Sequence, residues 1–282
     1  MKRTIRILAT AFLGIGLTCG ASWAENTAEQ EVRADTVGTI MNAVRVEALM
    51  QVVATEGARH GMSLEKALFA GRGGRDWARA VSAIQTPERL VPIIASTLRD
   101  ELSPADAEVV AAFYSGDLGG RIVRREVEAR RDMLDTDIET SATRAVADQG
   151  TERTALIDQL IDGMDLVDSN VSGGLNANFA FYRGLGDGGA LRKRMTESEM
   201  IAMVWNQESA VRAATTRWLR GYLTLAYAPF SDAELRTYMT FTQTPAGRRY
   251  VAAMFAGFGR VFETTSYDLG LAAARFIAQD TI

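Results

Sequence analysis

The only histidine of the chain, His60, is the side chain best suited to general acid–base catalysis near neutral pH. It follows an apolar helical segment between Val44 and Val53 and precedes Gly61. This order predicts that His60 closes the C-terminus of a helix, where a positive charge is favourable. The sequence offers no partner for a general base at this position, so we expect no catalytic triad.

Four aspartates, Asp158, Asp162, Asp165 and Asp168, recur at intervals typical of one helix face. Clustered carboxylates could hold a hard cation such as Ca²⁺. A straight helix would spread them over about 15 Å, at 1.5 Å rise per residue, and no Asp-x-Asp-x-Asp-Gly loop is present. The pattern therefore favours a solvated helix face over a metal site.

A glycine-rich stretch at residues 184–189 satisfies the pattern G-x-G-x-x-G. That pattern binds a dinucleotide only between a strand and a helix of a parallel unit. No second strand follows residues 176–183, so the sequence predicts a flexible loop here and no cofactor.

The segment 121–131 is rich in arginine and could contact an acidic partner. Glutamates between the arginines cancel most of this charge, which favours a salt-bridged surface helix. The spacing predicts the pairs Arg124/Glu128 and Glu126/Arg130 on its exposed side.

Trp77 and Trp205 could stack on a ligand such as a sugar or a lipid tail. Isolated aromatic residues on amphipathic helices are more often core anchors. The sequence leaves open whether these positions are core anchors or line a pocket. It therefore supplies no catalytic, cofactor-binding or metal-ligating residue.

The first 24 residues resemble a secretory signal peptide. Lys2, Arg3 and Arg6 precede a short apolar run, and the Ser22-Trp23-Ala24 sequence is typical of a signal peptidase site. We expect cleavage near Ala24, a periplasmic location, and a frayed polar segment over residues 25–35.

Cleavage would remove Cys19, the single cysteine of the chain, and change the net charge from −4 to −7. A cysteine-free mature chain excludes disulfides and thiol catalysis. Its acidity argues against nucleic acid as a partner. No apolar segment after the signal is long enough to span a membrane.

A stretch of the chain recurs 128 residues later: residues 77–123 align without a gap to residues 205–251. The identities include a large aromatic, a helix-capping serine (Ser103, Ser231), a core aromatic (Phe113, Phe241) and a turn glycine. These residue types determine a fold, so they predict two diverged copies of one unit. We place the copies at residues 36–145 and 151–282.

Helical signals dominate both copies, and strand signals are nearly absent. Ser103 and Ser231 each precede an acidic residue by three positions, as in a capping box. Each copy reads as a helical hairpin with a break near Gly119 or Gly247. The sequence predicts an all-α, single compact body.

The second arm of the hairpin differs between the copies. After Gly247 it carries a broad apolar stripe, whereas the first copy has Glu126 and Arg130 at two of the matching positions. We therefore expect the first copy's arm to be long and solvated and the second copy's arm to be central. A functional site is expected where the copies differ, around residues 244–258.

The segment Phe241-Thr242-Gln243-Thr244-Pro245-Ala246-Gly247-Arg248 resembles the signature of an uncharacterised bacterial family, domain of unknown function 2059. The matching positions are Phe241, Thr244, Pro245, Gly247 and Arg248. In the first copy Gly116-Asp117 replaces Thr-Pro, which weakens the case for a shared ligand site. The resemblance implies export and a helical fold, but no reaction.

These observations favour a non-enzymatic binding or scaffold protein of the cell envelope. Its partner would be an envelope protein or an apolar ligand held between helices. A metal-free hydrolase using an Asp/Glu pair is the alternative. A cavity lined by Trp205, Tyr222, Tyr227 and Phe241 would favour ligand binding, two inward-facing carboxylates in a cleft would favour catalysis, and a flat apolar patch would favour a protein partner.

Overall fold

The computed structural model describes residues 36–191 and 195–278. The predicted signal peptide and the predicted frayed segment 25–35 lie outside the described residues. Within the described ranges all regular structure is α-helical, which confirms the predicted fold class. The helices are α1 Thr36–Ala43, α2 Val46–Phe69, α3 Gly74–Ile84, α4 Pro87–Glu101, α5 Pro104–Ser115, α6 Asp117–Asp132, α7 Thr136–Asp148, α8 Thr151–Gly163, α9 Leu166–Asp187, α10 Glu197–Trp205, α11 Glu208–Tyr227, α12 Asp232–Thr242 and α13 Pro245–Ala278.

The helices begin where the sequence supplies caps. The Ser231 hydroxyl accepts a hydrogen bond from the backbone N–H of Glu234, and the Glu234 carboxylate accepts one from the backbone N–H of Ser231. The Ser103 hydroxyl likewise accepts from the backbone N–H of Asp106. These bonds satisfy backbone donors that lack partners in the first helical turn.

Two helices break at residues in the left-handed conformation. Arg45 (φ 52°) separates α1 from α2, and Asp165 (φ 52°) separates α8 from α9. The break at Asp165 corrects the prediction that Asp158 to Asp168 share one straight helix face, because the chain changes direction within that span.

The longest helix, α13, lies at the centre of the molecule and packs against α2, α3, α4, α5, α9 and α12. Its closest neighbour is α9. A Cβ added to Gly184 of α9 would lie 2.8 Å from the backbone nitrogen of Leu271, and one added to Gly270 of α13 would lie 3.0 Å from that of Leu185. The two backbones therefore approach closely only because both positions are glycine.

The predicted loop at residues 184–189 is wrong for its first part, because α9 continues to Asp187. Gly184 serves helix packing, and Gly189 adopts a positive φ of 78° just after the helix ends.

The main apolar core draws buried residues from both halves of the chain, from Val37 to Val261. A second cluster surrounds Trp77, which is fully buried against Phe69 and Phe276 and donates a hydrogen bond to the carbonyl oxygen of Gly61. Trp77 is thus a core anchor. Trp205 is 60 % exposed, so it fills neither predicted role.

The prediction that the first copy's hairpin arm is solvated is wrong. In α6, Ile122, Val123, Val127 and Ala129 are buried, and the helix packs against α2, α5, α11 and α12. Some charged residues of α6 form ion pairs with neighbouring helices, and others are exposed to solvent. The predicted pairs Arg124/Glu128 and Glu126/Arg130 do not form; Arg125 pairs with Glu128, and Arg130 pairs with Glu56 of α2.

The two hairpins α5–α6 and α12–α13 contact each other reciprocally. The rings of Phe113 and Phe241 stack with centroids 3.7 Å apart. The Arg121 guanidinium lies 2.7 Å from the Glu234 carboxylate, and the Arg249 guanidinium lies 2.7 Å from the Asp106 carboxylate. Each arginine therefore pairs with an acidic residue in the first helical turn of the opposite hairpin, and Arg121 also pairs with Asp117 of its own helix.

No single helix in the described ranges is long and apolar enough to cross a membrane. The bent pair α1 and α2, with 57° between its members, passes that test by length and composition only.

Candidate ligand cavity

A cavity of about 580 Å³ lies between the two halves of the molecule. Its walls come from α2, α5, α6, α9, α11, α12 and α13. A volume in this range suits a small organic molecule. The lining is mainly apolar and aromatic, with a small number of polar groups at defined positions.

Glu126 of α6 lies at one end of this cavity, among tyrosines. The Tyr227 hydroxyl donates a hydrogen bond of 2.7 Å to its Oε1 atom, and the Tyr238 hydroxyl donates one of 3.4 Å to the same atom. The Tyr222 hydroxyl donates to the backbone carbonyl oxygen of Glu126 at 3.1 Å. Among the described residues none hydrogen-bonds the second carboxylate oxygen, Oε2.

The environment of Glu126 changes its proton affinity. Burial raises the pKa of its carboxyl from 4.5 to about 7, and the hydrogen bonds from Tyr227 and Tyr238 offset only part of that rise. No arginine or lysine of the described ranges forms an ion pair with it. The cavity therefore contains a carboxyl group that is protonated in a large fraction of molecules at neutral pH.

Five tyrosines surround this end of the cavity: Tyr114, Tyr222, Tyr227, Tyr238 and Tyr250. Burial, with the nearby Glu126 charge, raises the pKa of each hydroxyl. All of them are therefore protonated at physiological pH and can both donate and accept hydrogen bonds. Four of them are almost fully buried, so this end of the cavity is closed.

Arg130 and Glu56 form the next polar contact, one helical turn from Glu126. The guanidinium binds both carboxylate oxygens, with Nε 3.0 Å from Oε1 and Nη2 2.8 Å from Oε2. The Arg130 guanidinium also lies 5.9 Å from the ring centroid of Trp218, which stacks on Tyr222. This bidentate pair leaves neither charge free for a ligand.

Helix α13 supplies an apolar wall. Met254, Phe255, Phe258 and Phe262 recur along the side that faces the cavity, and the last two rings stack with centroids 5.9 Å apart. Each of these side chains is only partly buried. The cavity therefore offers apolar surface that the protein itself does not cover.

His60 of α2 and Asn170 of α9 are the exposed residues of the lining, and they place the opening of the cavity on this side. His60 lies in the middle of α2, which continues to Phe69, so the prediction that it closes a helix is wrong. Partial desolvation of its ring on the cavity side lowers the pKa of His60 below the usual 6.5, so the imidazole is mostly neutral at pH 7.

The four aspartates of the second half lie in a separate surface depression with Arg212 and Arg220. Asp158 pairs with Arg220 at 2.8 Å, and Asp168 pairs with Arg212 at 2.5 Å. Among the described residues no group of His, Asp and Glu side chains has the arrangement of a metal site.

Of the residues expected to favour ligand binding, Tyr222 and Tyr227 line the cavity, whereas Trp205 and Phe241 do not. Sequence reasoning missed Glu126 and Arg130, which it assigned to solvent. The signal was present in the alignment: at the 128-residue offset these positions correspond to Met254 and Phe258, and all four side chains line the cavity. A charged residue that aligns with an apolar residue of another helix is a signal of a polar interior site that could have been used.

Comparison with protein-family models, curated proteins and solved structures finds no match to this chain. The resemblance around Phe241 to Arg248 therefore stays a prediction.

Proposed function

We propose that the protein is a periplasmic, non-enzymatic binding protein that holds a small amphipathic molecule in the cavity between its halves. The observation that carries this proposal is the unpaired carboxyl of Glu126 at the closed end of an otherwise largely apolar cavity. A preformed apolar cavity with a few convergent polar groups is the usual form of a small-molecule site.

The hydrolase alternative has less support. A general acid–base pair needs two carboxyl groups that can exchange protons with a substrate. The cavity also contains Glu56, but both of its oxygens are bound by Arg130. Glu126 therefore has no free carboxylate partner in the described part of the cavity.

We infer that the two walls derive from two copies of one helical-hairpin unit. The stacked rings of Phe113 and Phe241 occupy corresponding positions at the 128-residue offset. The two cross-hairpin ion pairs are equivalent at the same offset, since Arg121 corresponds to Arg249 and Asp106 to Glu234. The copies have diverged where they face the cavity, so that α6 supplies polar groups and α13 supplies apolar ones. In this view the divergence produced the binding site.

Nile red, a neutral apolar dye whose fluorescence rises in apolar surroundings, tests the proposal. We expect saturable binding to the wild-type protein. A Gly173→Phe variant should lose it, because Gly173 lines the cavity and a Cβ there has no atom within 4 Å, so the ring has room to occupy the site.

Ser172→Phe is the matched control, since Ser172 is the adjacent residue of α9 but is exposed and does not line the cavity. It should bind the dye as the wild type does. Equal binding by all three proteins, or no saturable binding by the wild type, would contradict the proposal. Fractionation of the native host, with the protein recovered after osmotic shock, checks the periplasmic location.

A further inference from the structure

We propose that the ligand of the cavity carries a protonated primary amine on an apolar chain, with the ammonium group at Glu126. This inference rests on the proposed binding function and specifies its ligand class. It follows from the charges, the hydrogen-bond acceptors and the apolar wall of the cavity.

The charges of the cavity favour a cation. Among the described residues that line the cavity, the groups besides the tyrosines that can carry charge are Glu126, Glu56, Arg130 and His60. Arg130 and Glu56 neutralise each other through two hydrogen bonds, and the lowered pKa of His60 keeps it neutral. Of these described groups, only Glu126 is left without a counter-charge. An anionic ligand would therefore find no free cation in the described lining, whereas a cationic ligand would complete an ion pair with Glu126.

The hydrogen-bonding groups favour an ammonium with N–H donors. Oε2 of Glu126 is free to accept a hydrogen bond, because Tyr227 and Tyr238 both donate to Oε1. The Tyr222 hydroxyl donates to a backbone carbonyl, and its oxygen keeps lone pairs that can accept. A primary ammonium has three N–H donors and can use a carboxylate and hydroxyl oxygens together.

A quaternary ammonium fits this site less well. It has no N–H donor and depends on aromatic faces. The ring of Trp218, the strongest such face in the lining, already stacks on Tyr222 and lies 5.9 Å from the Arg130 guanidinium. The protein's own cation thus already uses the most favourable aromatic face of the lining.

The apolar chain of the ligand would lie along α13. This helix runs from Tyr250, in the tyrosine cluster, past Met254 and Phe258 to Phe262. From Met254 to Phe262 the apolar wall extends about 12 Å, at 1.5 Å rise per residue. An amine at Glu126 therefore places a linear alkyl chain against side chains that are otherwise only partly covered.

Calorimetric titration with decylamine, decanol and decanoate tests the inference, because the three probes share one chain and differ in the head group. Wild-type protein should bind decylamine most tightly. In Glu126→Gln the affinity for decylamine should fall about tenfold to a hundredfold, the range for losing a hydrogen bond to a charged group, while the affinity for decanol stays unchanged. Glu128→Gln, a glutamate of the same helix that pairs with Arg125, is the control and should match the wild type.

The outcomes separate this inference from the proposed function. If decanol or decanoate binds the wild type at least as tightly as decylamine, or if Glu126→Gln leaves decylamine binding unchanged, the ammonium class is wrong although the cavity still binds amphipathic molecules. If none of the three probes binds, both proposals are wrong.

A pH series on the wild-type protein supplies a test that needs no variant. The titratable groups that line the cavity with Glu126 are the five tyrosines, Glu56, Arg130 and His60, and the carboxyl of Glu126 gains its charge near pH 7. Decylamine affinity should rise between pH 6 and pH 8, and decanol affinity should not rise. A decylamine affinity that is constant or falls over this range would overturn the inference.

Discussion

Glu126 is held by two tyrosine hydroxyls that stabilise its charged form, in surroundings that disfavour that form. The hydrogen bond from Tyr227 is short, at 2.7 Å, yet removal from water raises the pKa of the carboxyl to about 7. Desolvation is therefore the larger effect. The balance leaves a group that a ligand or a change in pH can convert between neutral and charged states.

The raised pKa of Glu126 gives a stability profile with a defined sign. Because the folded state holds this proton more tightly than the unfolded state, the stabilisation is complete below the unfolded pKa of 4.5 and is lost as the pH rises to about 7. We expect the free energy of unfolding of the wild type to fall relative to that of Glu126→Gln by about 3 kcal/mol over this range.

Urea denaturation of both proteins at pH 4.5 and pH 8 measures this difference. Comparing variants cancels the contribution of His60, whose lowered pKa acts in the opposite direction. Glu128→Gln should follow the wild-type profile. Parallel profiles for the wild type and Glu126→Gln would show that Glu126 titrates in the folded state as an ordinary surface carboxyl does.

The elements that frame the cavity are two hairpins with the same turn geometry. In both, the glycine after the turn lies against the end of the preceding helix: a Cβ at Gly119 would lie 2.8 Å from the Cα of Tyr114, and a Cβ at Gly247 would lie 2.9 Å from the Cα of Thr242. Backbone atoms cannot move aside as a side chain can. These glycines therefore set how closely the two arms of each hairpin meet.

Gly119→Ala and Gly247→Ala should each lower the free energy of unfolding by about 1–3 kcal/mol, the usual cost of overpacking. Gly173→Ala is the control, since a Cβ at this helical position has no atom within 4 Å. It should stabilise the protein by about 0.5–1 kcal/mol through the loss of backbone freedom in the unfolded chain. Thermal and urea unfolding measure the stability of all three variants. Unchanged stability of Gly119→Ala and Gly247→Ala would show that these glycines do not set how closely the hairpin arms meet.

The sequence predicts where helices begin and end better than it predicts which side of each helix is buried. Caps such as Ser231, and the breaks near Gly119 and Gly247, depend on neighbouring residues, so local patterns located them. Which side of α6 is buried depends on α2 and α11, which are distant in the sequence. For that reason the sequence places Glu126 and Arg130 on the surface and misses the polar end of the cavity, although part of its apolar wall lies within the expected range 244–258.

The molecule as a whole depends on contacts between its halves. Helix α13 packs against α2 to α5 of the first half, and the main core mixes residues from Val37 to Val261. Gly150, which precedes α8, lies between the halves, with open space around the position of a Cβ. A cut at this point would divide the core and separate the two walls of the cavity.

We expect the separate fragment 25–149 to lack a cooperative thermal transition, because its apolar surface would lose the partner helices α11 and α13. Mixing it with the fragment 150–282 should restore both the transition and Nile red binding. Circular dichroism and dye fluorescence measure these outcomes. A fragment 25–149 that melts cooperatively alone would mean that each half is an independent domain.

The close crossing of α9 and α13 at Gly184 and Gly270 restricts how the cavity can open. Backbone contacts at that point leave no flexible side chains between the helices, so sliding of one helix along the other is blocked there. The parts of α9 and α13 that line the cavity lie N-terminal to the crossing in both helices. Any widening must then come from rotation of the two helices about this fixed pivot, which moves the segments farthest from it the most. Entry of a ligand would thus be controlled by the angle between two helices, without unfolding of either one.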